Sequence, residues 1–382
     1  MLGERVADTI LSVALAWSVR HEPSGVAAPR ATPFPSSFAP TLDDSARAGE
    51  AISRWPEYAV SPLRSAPSMA KLLGVGELWL KDESDRLGTG SFKALGGGYA
   101  VDELVRAADG SAPVFATASA GNHGVGVAWA CRRLGAACHV YLSEGVSDFQ
   151  AERIRSLGGT VHRVVGTYED SLSAARQAAD AAGWQIVQDV SWEGNTRVPA
   201  LIYAGYTVLA AEIVEQLAAA DAPPPTHVLV NAGVGGLAVG VCAHLWARYG
   251  AARPTFITVE AQAADCLLHS ARLGSWAALP PERIAAESTI MTGLDCNTPD
   301  QICWEVLHSG VDHFVAVGDE VVAPCVRLLA EELDPPIAAG DSAVAGLGVL
   351  VAAAAQPAVR ERLGLTEESR VAIIVCEGAF AA

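Results

Sequence analysis

A chain of 382 residues with 51% hydrophobic and 18% charged residues can bury a sizeable core and is not of the disordered class. Its formal net charge of −17 argues against a nucleic-acid backbone as partner, which needs clustered Lys and Arg. A small phosphate stays open, because backbone N–H groups at a helix N-terminus hold one without net positive charge.

From the N-terminus, the Ile10–Trp17 run reads as an amphipathic helix rather than a signal peptide, since Glu4, Arg5 and Asp8 precede it. A Pro/Ser-rich connector follows, from about Glu22 to Pro40. No apolar run approaches the length of a membrane span, so no membrane partner is expected. The eight cysteines are scattered without a C-x-x-C pair or metal-like spacing. They read as reduced thiols of a cytoplasmic protein, and no metal site is expected.

The apolar run Leu78–Leu80 reads as a strand and delivers the chain into a polar loop, then to Ser91-Phe92-Lys93-Ala94-Leu95-Gly96-Gly97-Gly98. Ser91 is an N-cap candidate, which places Lys93 in the first turn of a helix. The helix dipole there disfavours an added positive charge, so the amine should hold its proton less firmly, as carbonyl chemistry requires. Lys93 is thus a candidate Schiff-base lysine, the alternative being an ordinary solvated one. The three glycines favour close approach by another chain segment or a ligand.

Beyond this point strands and Ala-rich helices alternate. Val114–Thr117 precedes a helix at Gly124–Leu134, Cys138–Leu142 one at Phe149–Leu157, Val161–Val165 one at Tyr168–Ala182, and Trp184–Val187 one at Pro199–Ala218. Val228–Val230 then leads to Gly236–Tyr249, Thr255–Val259 to Asp265–Leu273, and Val371–Val375 comes last. Such alternation predicts an α/β protein whose parallel sheets are covered on both faces, with ligands at the loops that follow the strands.

Four of those loops carry chemistry. Ser119-Ala120-Gly121-Asn122 offers amides and a side-chain donor to a carboxylate, or is a capped turn. Gly233-Val234-Gly235-Gly236-Leu237 has the composition of a phosphate cradle. Gly233, Gly235 and Ala238 also fit G-x-G-x-x-A, with Glu260 about where a ribose-binding acid would lie, which opens a nicotinamide dehydrogenase reading. Asp189, just past a strand, is a general-base candidate or a turn residue. Cys376 closes the last strand as a buried thiol or a neighbour of a ring nitrogen.

Taken together, Ser91-Phe92-Lys93, Ser119-Ala120-Gly121-Asn122-His123, Gly233–Leu237 and Cys376-Glu377-Gly378 resemble the pyridoxal-phosphate enzymes of the tryptophan-synthase-β (fold type II) superfamily. Within it the chain is most similar to the diaminopropionate ammonia-lyases. That similarity lies in Lys81–Ser84, Gly166-Thr167-Tyr168, Gln188–Gly194, Gly205-Tyr206-Thr207, Thr289–Leu294 and Gly340-Asp341-Ser342. The resemblance implies two lobes: 61–108 with 205–382 as the cofactor-binding domain, and 109–204 as a smaller substrate domain. Residues 1–60, which the resemblance leaves mostly unassigned, are expected to form an N-terminal helix and connector. It implies pyridoxal 5'-phosphate bound to Lys93 beside Phe92, with Asn122 at the ring hydroxyl oxygen, Gly233–Leu237 around the phosphate and Cys376 near the pyridine nitrogen. Ser119 to Asn122 would hold the substrate carboxylate, Asp189 would exchange the Cα proton of an L-substrate, and Tyr168 would border that side. A homodimer is also implied.

One position departs from the pattern. Ala120 stands where the ammonia-lyases carry an aspartate that serves D-substrates, and the loop resembles that of threonine and serine dehydratases instead. The expected activity is α,β-elimination from a β-substituted L-amino acid, giving a 2-keto acid and ammonia. β-Replacement through aminoacrylate is the alternative within the superfamily. Glu83, Asp85 and Glu193 are expected either to favour a cationic side chain or to form a solvated acidic surface.

Overall fold

The computed structural model describes residues 20–23, 36–108 and 113–379; the helix expected at 10–17 and most of the connector lie outside them. In chain order the strands are β1 (Arg20–Pro23), β2 (Leu63–Ser65), β3 (Glu77–Asp82), β4 (Phe115–Thr117), β5 (Cys138–Ser143), β6 (Thr160–Val164), β7 (Gln185–Ile186), β8 (His227–Asn231), β9 (Thr255–Ala261), β10 (His313–Val317) and β11 (Arg370–Val375). They make a seven-stranded sheet in the order β1-β10-β9-β8-β11-β3-β2 and a four-stranded sheet in the order β6-β5-β4-β7. The small sheet is parallel throughout; the large one is parallel except at its edges, where β1 and β2 run antiparallel to β10 and β3.

Burial explains the strand sequences. Every residue of β8 is buried, as is β11 from Val371 onward, which is why both read as continuous apolar runs. β5 alternates instead, with Cys138, Val140 and Leu142 buried and His139 and Tyr141 half-buried on the other face.

Eight helices position the site: α1 (Leu42–Ile52), α2 (Lys93–Arg106), α3 (Asn122–Leu134), α4 (Tyr168–Ala182), α5 (Arg197–Ala219), α6 (Gly236–Tyr249), α7 (Cys266–Leu273) and α8 (Gln301–Gly310). α5 packs against α1, α2 and α6. It is long and apolar enough to cross a membrane by length and composition, which corrects the expectation that no run would be. Its apolar residues are instead spent on the core: Ile202, Tyr203, Leu209 and Ala210 are fully buried. α2 and α5 touch backbone to backbone. A Cβ on Gly205 would lie 2.7 Å from Leu95 O, and one on Gly96 2.7 Å from Ile202 O, so the glycines after Lys93 admit another helix rather than a ligand.

Where it is described, 1–60 is more than a helix and connector. β1 joins the large sheet, and α1 begins in a Thr41/Asp44 capping box and bonds α6 through Ser45 Oγ and His244 Nδ1 at 2.9 Å. The boundary expected between 204 and 205 falls inside α5.

Candidate active site

The loops after β3, β4, β7, β8 and β11 converge where the carboxyl ends of the two sheets face each other. Lys93 opens α2, but its N-cap is Phe92 and not Ser91, whose Oγ only accepts weakly from Lys93 N at 3.4 Å. The Lys93 side chain keeps 25% of its surface exposed, and its Nζ donates to Asp189 Oδ2 at 2.5 Å. Burial alone would lower the lysine, but the Asp189 carboxylate outweighs it and holds the ammonium well above the ordinary lysine range. That reverses the expectation drawn from the helix dipole: a partner at bonding distance dominates a partial charge at a helix end. Burial would likewise raise Asp189, yet His123 and Lys93 pull its carboxyl well below the usual range. The backbone of Asp189 is fixed by Tyr203, whose hydroxyl donates to its carbonyl at 3.1 Å.

Ser119-Ala120-Gly121 forms the turn from β4 into α3, with Gly121 at the N-cap and no side chain capping the helix. The first amides of α3 therefore lack acceptors within the helix and face the site. Gly124 brings this turn close, since a Cβ there would stand 2.0 Å from Ser119 O. Asn122 donates from Nδ2 to Glu377 Oε2 at 2.6 Å, while its Oδ1 is buried without a partner. Gln188, which the sequence singles out only as part of a motif, ties two parts of the site together. Its Oε1 accepts from Ala118 N at 3.0 Å, and its Nε2 donates to the Tyr168 hydroxyl at 2.8 Å. Tyr168 thereby borders the turn from the start of α4.

At the far side, Gly233-Val234-Gly235-Gly236-Leu237 enters α6 with Gly235 at φ 112°, where a Cβ would stand 2.9 Å from Cys303 of α8. The glycines let the N-terminus of α6 sit against α8 with its first amides free of intrahelical acceptors. Cys376 follows β11; burial pushes its thiol up, and Asn231 Nδ2 lies 3.7 Å from Sγ. The structure thus gathers Lys93, Asn122, Asp189, the Ser119–Gly121 turn, Tyr168, the Gly233–Leu237 loop and Cys376 at the facing strand ends. It adds His123, Gln188, Tyr203 and Glu377.

Two further expectations are corrected. Glu260 is fully buried and accepts from Leu267 N at 2.7 Å and Leu268 N at 2.8 Å. It caps α7 instead of reaching a ribose, and the dinucleotide reading loses its acid. Glu83 is fully buried too, and accepts from Arg86 Nη2 at 2.7 Å, so it has no access to a substrate side chain; Asp85 and Glu193 are exposed.

A lysine beside an ionised carboxylate, an amide with an unused oxygen, and helix N-termini ready for two anions suit a cofactor with an aldehyde, a ring and a phosphate. The chain belongs to the family of pyridoxal-phosphate-dependent enzymes, whose family model matches residues 55–377. Its fold is type II, with mixed sheets and helices of that class. Among its relatives, the diaminopropionate ammonia-lyase of Escherichia coli (strain K12) is 36% identical over 342 residues, spanning 84% of this chain and 85% of the relative. A crystal structure of the E. coli enzyme in complex with an aminoacrylate-PLP azomethine reaction intermediate superposes with a TM-score of 0.85 at 32% identity, covering 95% of this chain and 94% of that one. The L-threonine dehydratase of E. coli (strain K12) is 27% identical over 284 residues, spanning 74% of this chain and 51% of the relative.

Proposed function

We propose that the protein eliminates the β-substituent from a β-substituted L-amino acid of the diaminopropionate type, releasing a 2-keto acid and ammonia. The observation that carries this reading is the Lys93–Asp189 contact across the facing strand ends. When bound, pyridoxal 5'-phosphate supplies an aldehyde for an amine and a ring that withdraws electrons from Cα. Lys93, next to Phe92, would hold that aldehyde. The amides of Gly233, Val234, Gly235, Gly236 and Leu237 would hold the phosphate, Asn122 would serve the ring oxygen, and the neutral Cys376 thiol would serve the ring nitrogen. Ser119, Ala120, Gly121 and Asn122 receive the substrate carboxylate at the start of α3, and Tyr168, steadied by Gln188, closes that side.

Asp189 would take the proton from Cα, and the C–H bonding pair would become the Cα–Cβ double bond as the bond from Cβ to the leaving amine breaks. The departing amine would take that proton back from Asp189; water then replaces the α-nitrogen, giving the keto acid and ammonia. The ionised state of Asp189 supports a base role at neutral pH. Ala120 offers a methyl group where a second base would stand, which supports action on the L-isomer alone. Eight free thiols support a reducing, cytoplasmic setting, and the exposed Leu273, Trp276, Ile284 and Ile290 support a homodimer. Keto acid release from L- and D-diaminopropionate tests the reaction. Release from the L-isomer, lost in Lys93→Ala together with the visible absorption of the bound cofactor, is the expected result; turnover that survives Lys93→Ala overturns it.

A further inference from the structure

His123 follows Asn122 in the first turn of α3, and nothing in the reaction above employs it. Its ring is buried, 3% exposed. Nε2 lies 3.0 Å from Val187 O, a group that can only accept, so Nε2 carries the hydrogen. Nδ1 has no hydrogen-bond partner and faces Asp189 Oδ2 at 3.7 Å. In the neutral ring Nδ1 presents a lone pair, so two acceptors confront each other. They tolerate it because the Lys93 ammonium sits on the same Oδ2 at 2.5 Å.

That balance holds only while Lys93 is charged. A lysine that attacks a carbonyl must first become a neutral amine. Asp189 then loses its counter-ion in a buried setting, and a proton must settle either on the carboxylate or on Nδ1. Three features favour the ring. An unperturbed imidazole is more basic than an aspartate by about 2.6 pKa units. The Val187 carbonyl, bonded to Nε2–H, stabilises an imidazolium. The charged groups that bear on the ring are Asp189 and Lys93, and only Lys93 repels a proton. The N-terminus of α3 opposes the imidazolium, as a partial charge against the full charge of the carboxylate. Tyr168, Tyr206 and Cys296, which also surround Asp189 and Lys93, are all held neutral by burial.

We propose that His123 is the proton store of Asp189: it takes a proton on Nδ1 whenever Lys93 is uncharged, and so keeps the carboxylate ionised as the base. The proton leaving Lys93 Nζ passes by way of Asp189 Oδ2 to Nδ1, so the three side chains keep the same total charge. The inference rests on the proposed pairing of Lys93 and Asp189 at work, and it makes His123 a positioning residue for charge.

The test reads the ring itself. Full-length chain with 15N-labelled histidine is titrated by NMR as cofactor-free wild type and as Lys93→Met, which removes the ammonium and keeps the volume. The resonance is identified among the nine histidines by its loss in His123→Asn, or in His123→Gln should the first variant aggregate. In wild type His123 should stay the neutral Nε2–H tautomer near neutral pH. In Lys93→Met its protonation equilibrium should rise at least about tenfold, one pKa unit. Adding Asp189→Asn should cancel that rise. A His123 titration unchanged by Lys93→Met, or a rise that persists without the carboxylate, overturns the proposal, because a ring that merely braces Val187 has no reason to sense Lys93. Failure of elimination in the keto acid assay is a separate result and leaves this titration readable.

Discussion

Lys93 and Asp189 meet at 2.5 Å although they hang from different sheets, one at the start of α2, which follows β3, and the other just past β7. A second bond, from Asn122 to Glu377 at 2.6 Å, joins the same two sheets a few residues away. The two lobes are therefore latched by pairs that include Lys93, Asp189 and Asn122, three side chains that the proposed chemistry uses. Drawing Lys93 into a covalent bond must loosen one of the two latches.

Replacing the carboxylate separates these duties. Asp189→Asn should lower turnover of L-substrates by about 10²–10⁴-fold, the range of a lost general base. Lys93, relieved of the partner that holds its proton, should take up the cofactor at lower pH than in wild type. Steady-state keto acid release and a pH series of the cofactor's visible band check both halves. Unimpaired turnover would move the base role elsewhere.

Restoring a second carboxylate should widen the stereochemistry. Ala120 lies half-buried in the turn between β4 and α3, opposite no acidic group of its own loop. Ala120→Asp should gain release of keto acid from D-diaminopropionate while L-turnover persists. Parallel assays of the two enantiomers measure it, and a variant still confined to the L-isomer would show that the turn does not set handedness.

The latch also makes stability depend on pH. Asp189 is depressed when folded, so its contribution is present above the unfolded value of about 3.9 and disappears as pH falls through the lower folded one. Lys93 is raised when folded, so its contribution is complete below about 10.4 and is lost as pH rises through the higher folded value. The advantage of cofactor-free wild type over Asp189→Asn, read as the denaturant midpoint, should be greatest between about pH 4 and 10 and shrink on either side. An advantage independent of pH would mean that the pair is not ionised.

Behind the Lys93 loop lies a buried charge cluster. Glu212 Oε2 accepts from Lys81 Nζ at 2.5 Å and from Arg86 Nη2 at 2.6 Å, and Arg86 also pairs with Glu83 at 2.7 Å. Glu212→Ala would leave Lys81 and part of Arg86 uncompensated where neither meets water. The expected loss in unfolding free energy is about 3–5 kcal/mol, the usual cost of removing one partner from a buried ion pair. Equilibrium denaturation of the variant measures it, and a loss within the error of a surface substitution would show the cluster to be hydrated.

Much of the interior was legible in the residues themselves. Tyr168–Ala182 and Gly236–Tyr249 coincide with the expected helices, and the buried strands β8 and β11 with the expected runs, because one rule of burial acts along each stretch. The edge strands β1 and β2 were not legible, being short segments whose pairing depends on a neighbour already in place. Lys93, Asn122, Asp189 and the glycine loop stood out because loops after parallel strands must carry the chemistry.

The sequence by itself determined the chemical kinds present: an amine, a carboxylate, an amide, and turns open to anions. Only the tertiary structure decided their states. The 2.5 Å contact makes Lys93 an ammonium where its place in the helix suggested an amine, and burial turns Glu260 and Glu83 into internal braces. It also leaves one nitrogen of His123 facing Asp189 without a proton to share. The reason is that charge and hydrogen bonding are set by neighbours within a few ångströms, and here those neighbours come from strands far apart in the chain.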